Sequence, residues 1–336
     1  MQVGLSCYSL TYSFGLMKPL ASRAPLTIFD LMDKAEAAGL AGIEISWHLV
    51  PGIDKVAGDA AAVRDELQRR GLFIIIDSSG HDPDKLRRAV DCAEAVGAEV
   101  VRTMISPVLG GDRRPFAGKW QAHLHDVGTG LRAAARYAEQ KRIRLGVENH
   151  QDLTSAEMVE LVHRVDSDHF GLILDIGNAL GVGEHPISYA ERVAPFVWHA
   201  HIKDYFVHWS EEGYRLVRAP IGQGVVDFAA VRRILEAGAN YPVKGTIEIG
   251  ALSARHVRIF EDDFWPEYPE RQARDLARAL QLCRKEAQPA GAEWRTAYEL
   301  EQGEAAVLAA EESAVQASLP YIYEVFGRSD TARKGA

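Results

Sequence analysis

The sequence predicts an α/β fold: a (β/α)8 barrel followed by a C-terminal helical extension. The chain has 336 residues, enough for a barrel of about 250 residues with insertions. Eight short apolar segments alternate with helical patterns, and this alternation predicts a parallel sheet. Several segments end in a carboxylate or an imidazole, and such barrels carry their chemistry at the carboxyl ends of the strands. The pattern alone leaves an open, doubly wound sheet as the alternative.

The eight predicted strands are short runs rich in apolar and β-branched residues, which is typical of parallel strands buried on both faces. They cover residues 3–8, 42–46, 72–76, 99–104, 143–148, 170–175, 197–202 and 243–249. Because helices connect successive parallel strands, the carboxyl ends of all eight are expected on one rim.

Helix signals lie between the predicted strands. Thr27 precedes apolar residues at helical spacing, so it is predicted to cap a helix. Asp82 stands before a first-turn proline, and Thr154 has a glutamate three residues later, which is the pattern of a capping box. Two long segments, residues 106–119 and 205–226, are predicted to be loops.

The chain is predicted to divide into a barrel domain, residues 1–286, and an extension, residues 287–336. The extension is expected to be helical over residues 294–317, followed by an apolar cluster at 319–326. The last residues, 328–336, are expected to be disordered. A barrel does not need this extension, so it either packs on the barrel's own surface or contacts a partner chain.

Composition excludes several classes of protein. The net charge of −9 argues against a nucleic-acid partner, which would favour a basic surface. Three cysteines, all far apart, provide neither a disulfide framework nor a zinc motif. No apolar run approaches the roughly 18 to 20 residues of a membrane span, and no basic segment at the N-terminus indicates a signal peptide. We therefore expect a cytoplasmic protein with no membrane contact.

Four predicted strands end in a residue that can bind a metal: Glu148, Asp175, His201 and Glu248. We expect all four on the same rim, as ligands of one divalent cation. Three carboxylates and one imidazole, without a thiolate, favour Mn²⁺, with Co²⁺, Mg²⁺ and Zn²⁺ as alternatives. Such an ion can hold two oxygens of a sugar and polarise its carbonyl, which makes the protons on the adjacent carbon acidic.

His150 is the predicted general base. It follows Glu148 by two residues, so both side chains face the same way if the strand geometry continues. Its ordinary pKa lies near neutrality, which suits a group that must accept a proton. Glu148 and Glu248 are the competing candidates for this role, and a purely structural hydrogen bond is the alternative for His150.

Four further residues near the strand ends are predicted to line a substrate pocket: His199, Lys203, Asn178 and Trp47. His199 alternates with His201 along one strand, so both can face inward; we take His201 as the ligand and His199 as its neighbour. Lys203 can bind substrate oxygens or form an ion pair with Asp204 at the rim. Packing or capping is the alternative for Trp47.

These motifs resemble those of the xylose isomerase-like TIM barrels, the sugar phosphate isomerase/epimerase superfamily, over about residues 3–284. The resemblance rests on four segments: 147–150, 174–178, 199–204 and 247–248. It implies that Glu148, Asp175, His201 and Glu248 are the metal ligands. It also implies that the two glutamates correspond to the acid/base pair of the ketohexose 3-epimerases. The DNA-repair branch, of the endonuclease IV type, is disfavoured because it uses additional histidines at a trinuclear zinc site.

Two positions depart from the epimerases. They carry a histidine where this chain has Asn178, and they lack a histidine at the position of His150. The Glu148–His150 pair is more similar to the large subunit of the bacterial C-glycoside deglycosidases. That resemblance implies a Mn²⁺-dependent elimination on a 3-keto-glycoside, in which a histidine removes the proton next to the keto group. It also implies a small β-rich partner subunit, which the extension or the long loops would contact.

The function expected from the sequence is therefore that of a metal-dependent sugar lyase. Its alternatives are a sugar isomerase or 3-epimerase of the same superfamily, and a dehydratase that acts on an inosose or dehydroshikimate. A sugar-binding subunit without catalytic activity is the alternative from another class, and a homo-oligomer is the alternative to a separate partner.

Overall fold

Eight parallel strands form a closed barrel in the computed structural model, which describes residues 1–52, 57–250 and 252–329. In chain order they are β1 (Val3–Ser6), β2 (Gly42–Ser46), β3 (Phe73–Asp77), β4 (Val100–Thr103), β5 (Arg144–Glu148), β6 (Phe170–Asp175), β7 (Val197–Ile202) and, after two strands outside the barrel, β10 (Lys244–Ile247). The first and last strands pair with each other, since β1 lies between β2 and β10. This closure confirms the predicted barrel and excludes the open sheet.

Helices connect the strands and surround the barrel. They are α1 (Ile28–Ala37), α2 (Ala57–Arg70), α3 (Pro83–Val96), α4 (Trp120–Lys141), α5 (Ser155–Val165), α6 (Pro186–Val193), α7 (Phe228–Gly238) and α8 (Ala273–Lys285). The predicted caps are confirmed: Thr27 and Thr154 each form a capping box, and the Asp82 side chain accepts the Lys85 N–H. In the described ranges, no helix is both long and apolar enough to cross a membrane.

The barrel interior is apolar at one end and polar at the other. At the amino-terminal end, Ile75, Val100 and Ile173 form a separate buried cluster, and Phe73 packs against it. Gly42 makes room for this cluster, because a Cβ at that position would lie 2.4 Å from the Phe73 ring. Since alternate residues of each strand face the interior, the next residues along the strands fill the carboxyl end with charged and polar side chains.

The predicted loop 205–226 is wrong, because most of it is a β-hairpin. Strands β8 (Asp204–Ser210) and β9 (Gly213–Ala219) pair antiparallel, and β11 (Arg255–Val257) adds a third strand beside β9. Fully buried apolar residues stand at alternate positions of both strands, Tyr205 and Val207 in β8 and Tyr214 and Leu216 in β9, so the sequence did contain a strand signal. The other predicted loop, 106–119, is irregular apart from one short 3₁₀ turn at Arg114–Phe116.

The extension differs from its predicted form. Its helix, α9 (Glu304–Phe326), begins about ten residues later than expected and includes the apolar cluster that was predicted to follow it. The residues that precede α9 form turns. Arg328 and Ser329, predicted to be disordered, are placed: the Ser329 N–H donates to the Gly39 carbonyl, while residues 330–336 lie outside the described residues. The division into domains 1–286 and 287–336 stays a prediction.

Helix α9 packs on the barrel's own surface, where it holds the segment that follows β1. The buried Glu311 carboxylate accepts the backbone N–H groups of Tyr12 and Ser13 at 2.6 and 2.9 Å, and the Ser13 hydroxyl at 2.9 Å. Further along α9, the Ser318 hydroxyl accepts the Ile221 N–H at 2.9 Å, in the segment that follows the second strand of the hairpin. The extension therefore fixes two segments that leave the carboxyl ends of strands.

We expect Glu311→Ala to lower the free energy of unfolding by about 2–4 kcal/mol, because each buried donor left unpaired costs about 1–3 kcal/mol. Urea denaturation would measure the change. Glu312→Ala is the matched control: its carboxylate is half-exposed and pairs with Lys34, so its loss should cost less than about 1 kcal/mol. Equal effects of the two substitutions would contradict this role of Glu311.

Candidate metal centre at the barrel mouth

The four predicted ligands converge at the carboxyl end of the barrel. Glu148 and Asp175 are the last residues of β5 and β6, His201 lies in β7, and Glu248 follows β10 directly. One ligand atom from each of the four lies within 4.8 Å of the other three, and all four side chains are buried. We call these four residues the ligand set.

The donor atoms of the ligand set fit a divalent cation. His201 Nδ1 lies 2.9 Å from Glu248 Oε2 and 3.6 Å from Glu148 Oε1. Glu148 Oε1 and Asp175 Oδ1 are buried, yet neither makes a hydrogen bond to any described residue. Buried polar atoms without a partner are costly. Carboxylate oxygens and one imidazole nitrogen are ligands that Mg²⁺, Mn²⁺ and Zn²⁺ accept.

Glu44, which the sequence did not identify, orients His201. It lies in β2 with its Oε1 atom 2.7 Å from His201 Nε2, so the other ring nitrogen faces the ligand set. Burial opposes its charge, but the two histidines hold the pKa of Glu44 well below its usual range. Burial also opposes the imidazolium, but Glu44 and Glu248 raise the pKa of His201 well above its ordinary value. A carboxylate that holds the far nitrogen of a histidine is a common support of metal sites.

His199 lies next to this pair. Its Nε2 atom is 2.9 Å from Thr246 Oγ1 and 3.4 Å from Glu44 Oε2, and its ring is fully buried. The structure places His199 beside His201, as expected, and its contact with substrate stays a prediction. Glu44, His199 and His201 form a second group that could hold a cation. We favour the ligand set, because Glu44 and both histidines already have hydrogen-bond partners in one another and in Thr246.

Two buried cations balance part of the negative charge. Arg102, in β4, contacts the Glu148 carboxylate and lies 3.6 Å from Asp77. Lys203 contacts Asp175, and its Nζ atom is 2.6 Å from Glu248 Oε1. Lys203 was predicted to bind substrate, whereas its ammonium group binds two members of the ligand set. Arg102 was missed, because an arginine inside an apolar run gives no sign of the carboxylates that it will meet.

The pKa values in the ligand set follow from this arrangement. Burial favours the neutral form of Glu148, but Arg102 outweighs it and holds the pKa of that carboxyl well below its usual range. For Glu248, Lys203 and His201 likewise outweigh burial and lower the pKa. Burial dominates at Asp175 and raises its pKa to about 7, although Lys203 opposes the shift. The two glutamates are therefore ionised at neutral pH.

Asn178 positions Asp175, and its contact with substrate stays a prediction. Its Nδ2 group donates to Asp175 Oδ2 at 2.7 Å, and its Oδ1 atom accepts the Tyr205 hydroxyl at 2.7 Å and the Gln151 amide at 3.1 Å. Gln151 has a φ angle of 69°, which is unusual for a residue other than glycine. Asn149 completes this support by bonding to both the N–H and the carbonyl of Asp175.

His150 borders the ligand set. It lies two residues beyond Glu148, just after β5, and its buried Nδ1 atom makes no hydrogen bond to any described residue. Burial lowers the pKa of His150 to about 4; the charge of Glu148 opposes this shift, while Arg102 and Lys203 add to it. The expectation of an ordinary pKa is therefore wrong. The ring is neutral at pH 7, which is the form that can accept a proton, and its role as the base stays a prediction.

Two other residues predicted near the rim have structural contacts. Trp47 is buried at the start of the turn after β2, where its ring stacks on His48 and lies 5.7 Å from the guanidinium of Arg88 on α3. This position, facing a helix, gives no support for the predicted substrate contact. Asp204 does not pair with Lys203; its carboxylate accepts the backbone N–H groups of Tyr205, Gly222, Gly224 and Val226.

Comparison with known protein families shows the family of this chain. The model of the xylose isomerase-like TIM barrel family matches residues 32–250. This chain belongs to that family. The match contains seven of the eight barrel strands, β2 to β7 and β10, and all four members of the ligand set.

Two curated proteins are related to the chain in sequence. It is 28% identical over 236 residues to the uncharacterized protein YihM of Escherichia coli, a match that covers 68% of this chain and 67% of YihM. It is 24% identical over 277 residues to 3-oxo-isoapionate decarboxylase of Pectobacterium atrosepticum, covering 80% of this chain and 93% of that enzyme.

Solved structures share the fold. The probable 3-DHS dehydratase AsbF of Bacillus anthracis superposes with a TM-score of 0.57 at 16% identity, over 74% of this chain and 92% of AsbF. A xylose isomerase-like protein of Mycobacterium smegmatis in complex with magnesium gives 0.56 at 18% identity, over 85% and 98% of the two chains. The IOLI protein with a bound zinc atom gives 0.52 at 14% identity, over 85% and 96%. At these identities the likeness shows the fold alone.

We expect Glu44→Gln to weaken Mn²⁺ binding by about 10- to 100-fold, the usual effect of removing the group that orients a metal-binding histidine. Isothermal titration of the metal-free protein with MnCl₂ would measure it. Glu99→Gln provides a control at the opposite end of the barrel, where Glu99 pairs with Lys244 near the surface. Unchanged affinity in the Glu44 variant would mean that its carboxylate does not support a metal ligand.

Proposed function

We propose that this chain is a Mn²⁺-dependent sugar lyase that removes a proton next to the carbonyl of an oxidised sugar. The best candidate reaction is an elimination of the C-glycoside deglycosidase type on a 3-keto-glycoside. The observation that carries the proposal is a neutral histidine, His150, at the border of a buried four-residue ligand set. Family membership supports an enzymatic role.

The ligand set would hold the cation, with Mn²⁺ as first choice and Co²⁺, Mg²⁺ or Zn²⁺ as alternatives. When bound, such an ion supplies a positive charge that stabilises negative charge on a carbonyl oxygen of the substrate. The chain's own residues prepare for this. Arg102 and Lys203 keep the two glutamates ionised, and Glu44 and Asn178 orient His201 and Asp175.

His150 would then act as the base. The C2–H bond of the 3-keto-glycoside breaks, and its proton moves to the imidazole. The electron pair forms a double bond between C1 and C2, while the bond from C1 to the aglycone carbon breaks. The aglycone carbon takes up a proton from the imidazolium, which returns His150 to its neutral form, so atoms and charge balance. A base separate from the metal-binding carboxylates suits elimination, because Glu148 and Glu248 remain available as ligands.

In a decarboxylation, a dehydration or an isomerisation, the electron pair of the first bond that breaks also moves towards the carbonyl group. These three reactions are the alternatives within the family. The relative named 3-oxo-isoapionate decarboxylase breaks a carbon–carbon bond in a 3-oxo compound, which favours the lyase over the isomerase or 3-epimerase. AsbF, a probable dehydratase with the same fold, represents the inosose or dehydroshikimate type.

A sugar-binding subunit is the alternative without catalysis. A small β-rich partner subunit, a homo-oligomer and a cytoplasmic location also stay proposals.

The test uses Mn²⁺-loaded protein and a 3-keto-C-glucoside in D₂O. We expect aglycone release, or deuterium exchange next to the keto group, that EDTA abolishes. His150→Gln should slow it by at least about 100-fold, the usual contribution of a general base, with the Mn²⁺ content unchanged. His125→Gln on the exposed side of α4 is the control.

Two outcomes would contradict the proposal. Loss of Mn²⁺ from the His150 variant would show that this histidine is a ligand. Neither release nor exchange in the wild-type protein, despite a full complement of Mn²⁺, would favour the sugar-binding subunit.

A further inference from the structure

Two arginines lie side by side on the inner face of the three-stranded sheet. Arg255 of β11 stands opposite Leu216 of β9, and Arg218 lies two residues further along β9. Residues two apart on a strand share a face, so the two arginines are diagonal neighbours across the strand pair. The same face carries the buried Tyr214, whose hydroxyl donates to the Leu180 carbonyl at 2.6 Å. This face therefore covers the barrel mouth.

Neither guanidinium has a counterion among the described residues. Arg218 donates one hydrogen bond, from Nη1 to the Ile249 carbonyl at 3.1 Å, and its Nε atom is buried without a partner. The Nε atom of Arg255 is likewise buried and unpartnered. Glu299 is the carboxylate whose charge acts on Arg255, yet its oxygens accept the backbone N–H groups of Ala254 and Thr296.

This arrangement differs from that of other arginines in the same region. On the outer side, Arg258 pairs with Glu212 and Asp263. The fully buried Arg113 pairs with Glu157. Burial, together with the neighbouring Arg218, lowers the pKa of Arg255. Two adjacent, partly buried cations without a counterion destabilise the folded protein. A bound anion would remove this cost.

The pair adjoins the metal centre. Arg218 binds the carbonyl of Ile249, which directly follows Glu248. Its guanidinium lies 5.3 Å from the centroid of the Tyr205 ring, and the Tyr205 hydroxyl donates to Asn178, the residue that holds Asp175. A molecule bound at the ligand set could therefore extend one end towards the two arginines.

We propose that Arg218 and Arg255 form a subsite for an anionic group, a carboxylate or a phosphate, on the substrate. The planar guanidinium presents parallel N–H donors that match both groups. This inference rests on the proposed function for the position of the sugar, and it adds an acidic group to the 3-keto-glycoside proposed there.

Three probes with the same six-carbon chain test the subsite: D-gluconate, D-glucitol and D-glucitol 6-phosphate. Calorimetric titrations are made first on the metal-free protein, so that no probe binds through a cation, and then with Mn²⁺. We expect at least one of the two anionic probes to bind about tenfold or more tightly than D-glucitol. A carboxylate subsite prefers gluconate, and a phosphate subsite prefers the phosphate ester.

Arg218→Gln and Arg255→Gln should each remove most of this preference, whereas Arg255→Lys should retain part of it. Arg215→Gln is the matched control, since Arg215 also belongs to β9 but lies on the opposite face, 4.7 Å from the Trp294 ring. It should keep the full preference. Thermal unfolding of each variant confirms that it is folded.

The subsite is overturned if neither anion is preferred, or if the preference survives both glutamine substitutions. Such a result would leave Arg218 as a structural clamp on the Ile249 carbonyl. Failure of the proposed function gives a different pattern: no Mn²⁺-dependent deuterium exchange, with the arginine-dependent preference for anions intact.

Discussion

The structure depends on the electrostatic balance at the barrel mouth. Five carboxylates are buried there: Glu44, Asp77, Glu148, Asp175 and Glu248. Arg102 and Lys203 are the permanent cations that contact members of the ligand set, and burial together with Glu44 raises the pKa of Asp77 well above its ordinary value. Removing ionised groups from water is expensive unless opposite charges compensate them. A divalent cation bound within the ligand set would add positive charge to this cluster of carboxylates.

The fold makes this concentration of charge possible by distributing it over separate elements. Each member of the ligand set comes from a different strand, and each is supported by a neighbour: Glu44 holds His201, Asn178 holds Asp175, and Arg102 holds Glu148. The outer elements then cover the mouth. Asp204 fixes the segment after β9 through three backbone N–H groups, and Glu311 of α9 fixes the segment after β1. In the proposed subsite, the two arginines of the small sheet would add an anion-binding edge beside the ligand set.

The barrel and its ligand set were predictable because their signals are local. Each apolar run that ends in Glu148 or Asp175 predicts a strand. Because the strands are parallel, the run also predicts that its last residue lies on the rim at the carboxyl end of the barrel. The supporting residues carry no such signal. Glu44 and Arg102 are single charges inside apolar runs, and only the closed barrel shows which groups they face. Trp47 begins the turn after β2, and the strand pattern does not determine which way a side chain in that turn faces. The hairpin β8–β9 was missed because its charged residues and glycines suggested a loop, although its apolar residues alternate.

The central claim is the position of the cation, and anomalous diffraction from crystals soaked in MnCl₂ tests it most directly. We expect one strong anomalous-difference peak at the manganese edge, within bonding distance of a donor atom from each member of the ligand set. A peak between Glu44, His199 and His201 would contradict it, because those side chains would then be ligands instead of supports. The absence of any peak at the barrel mouth at millimolar Mn²⁺ would remove the metal-dependent mechanism altogether.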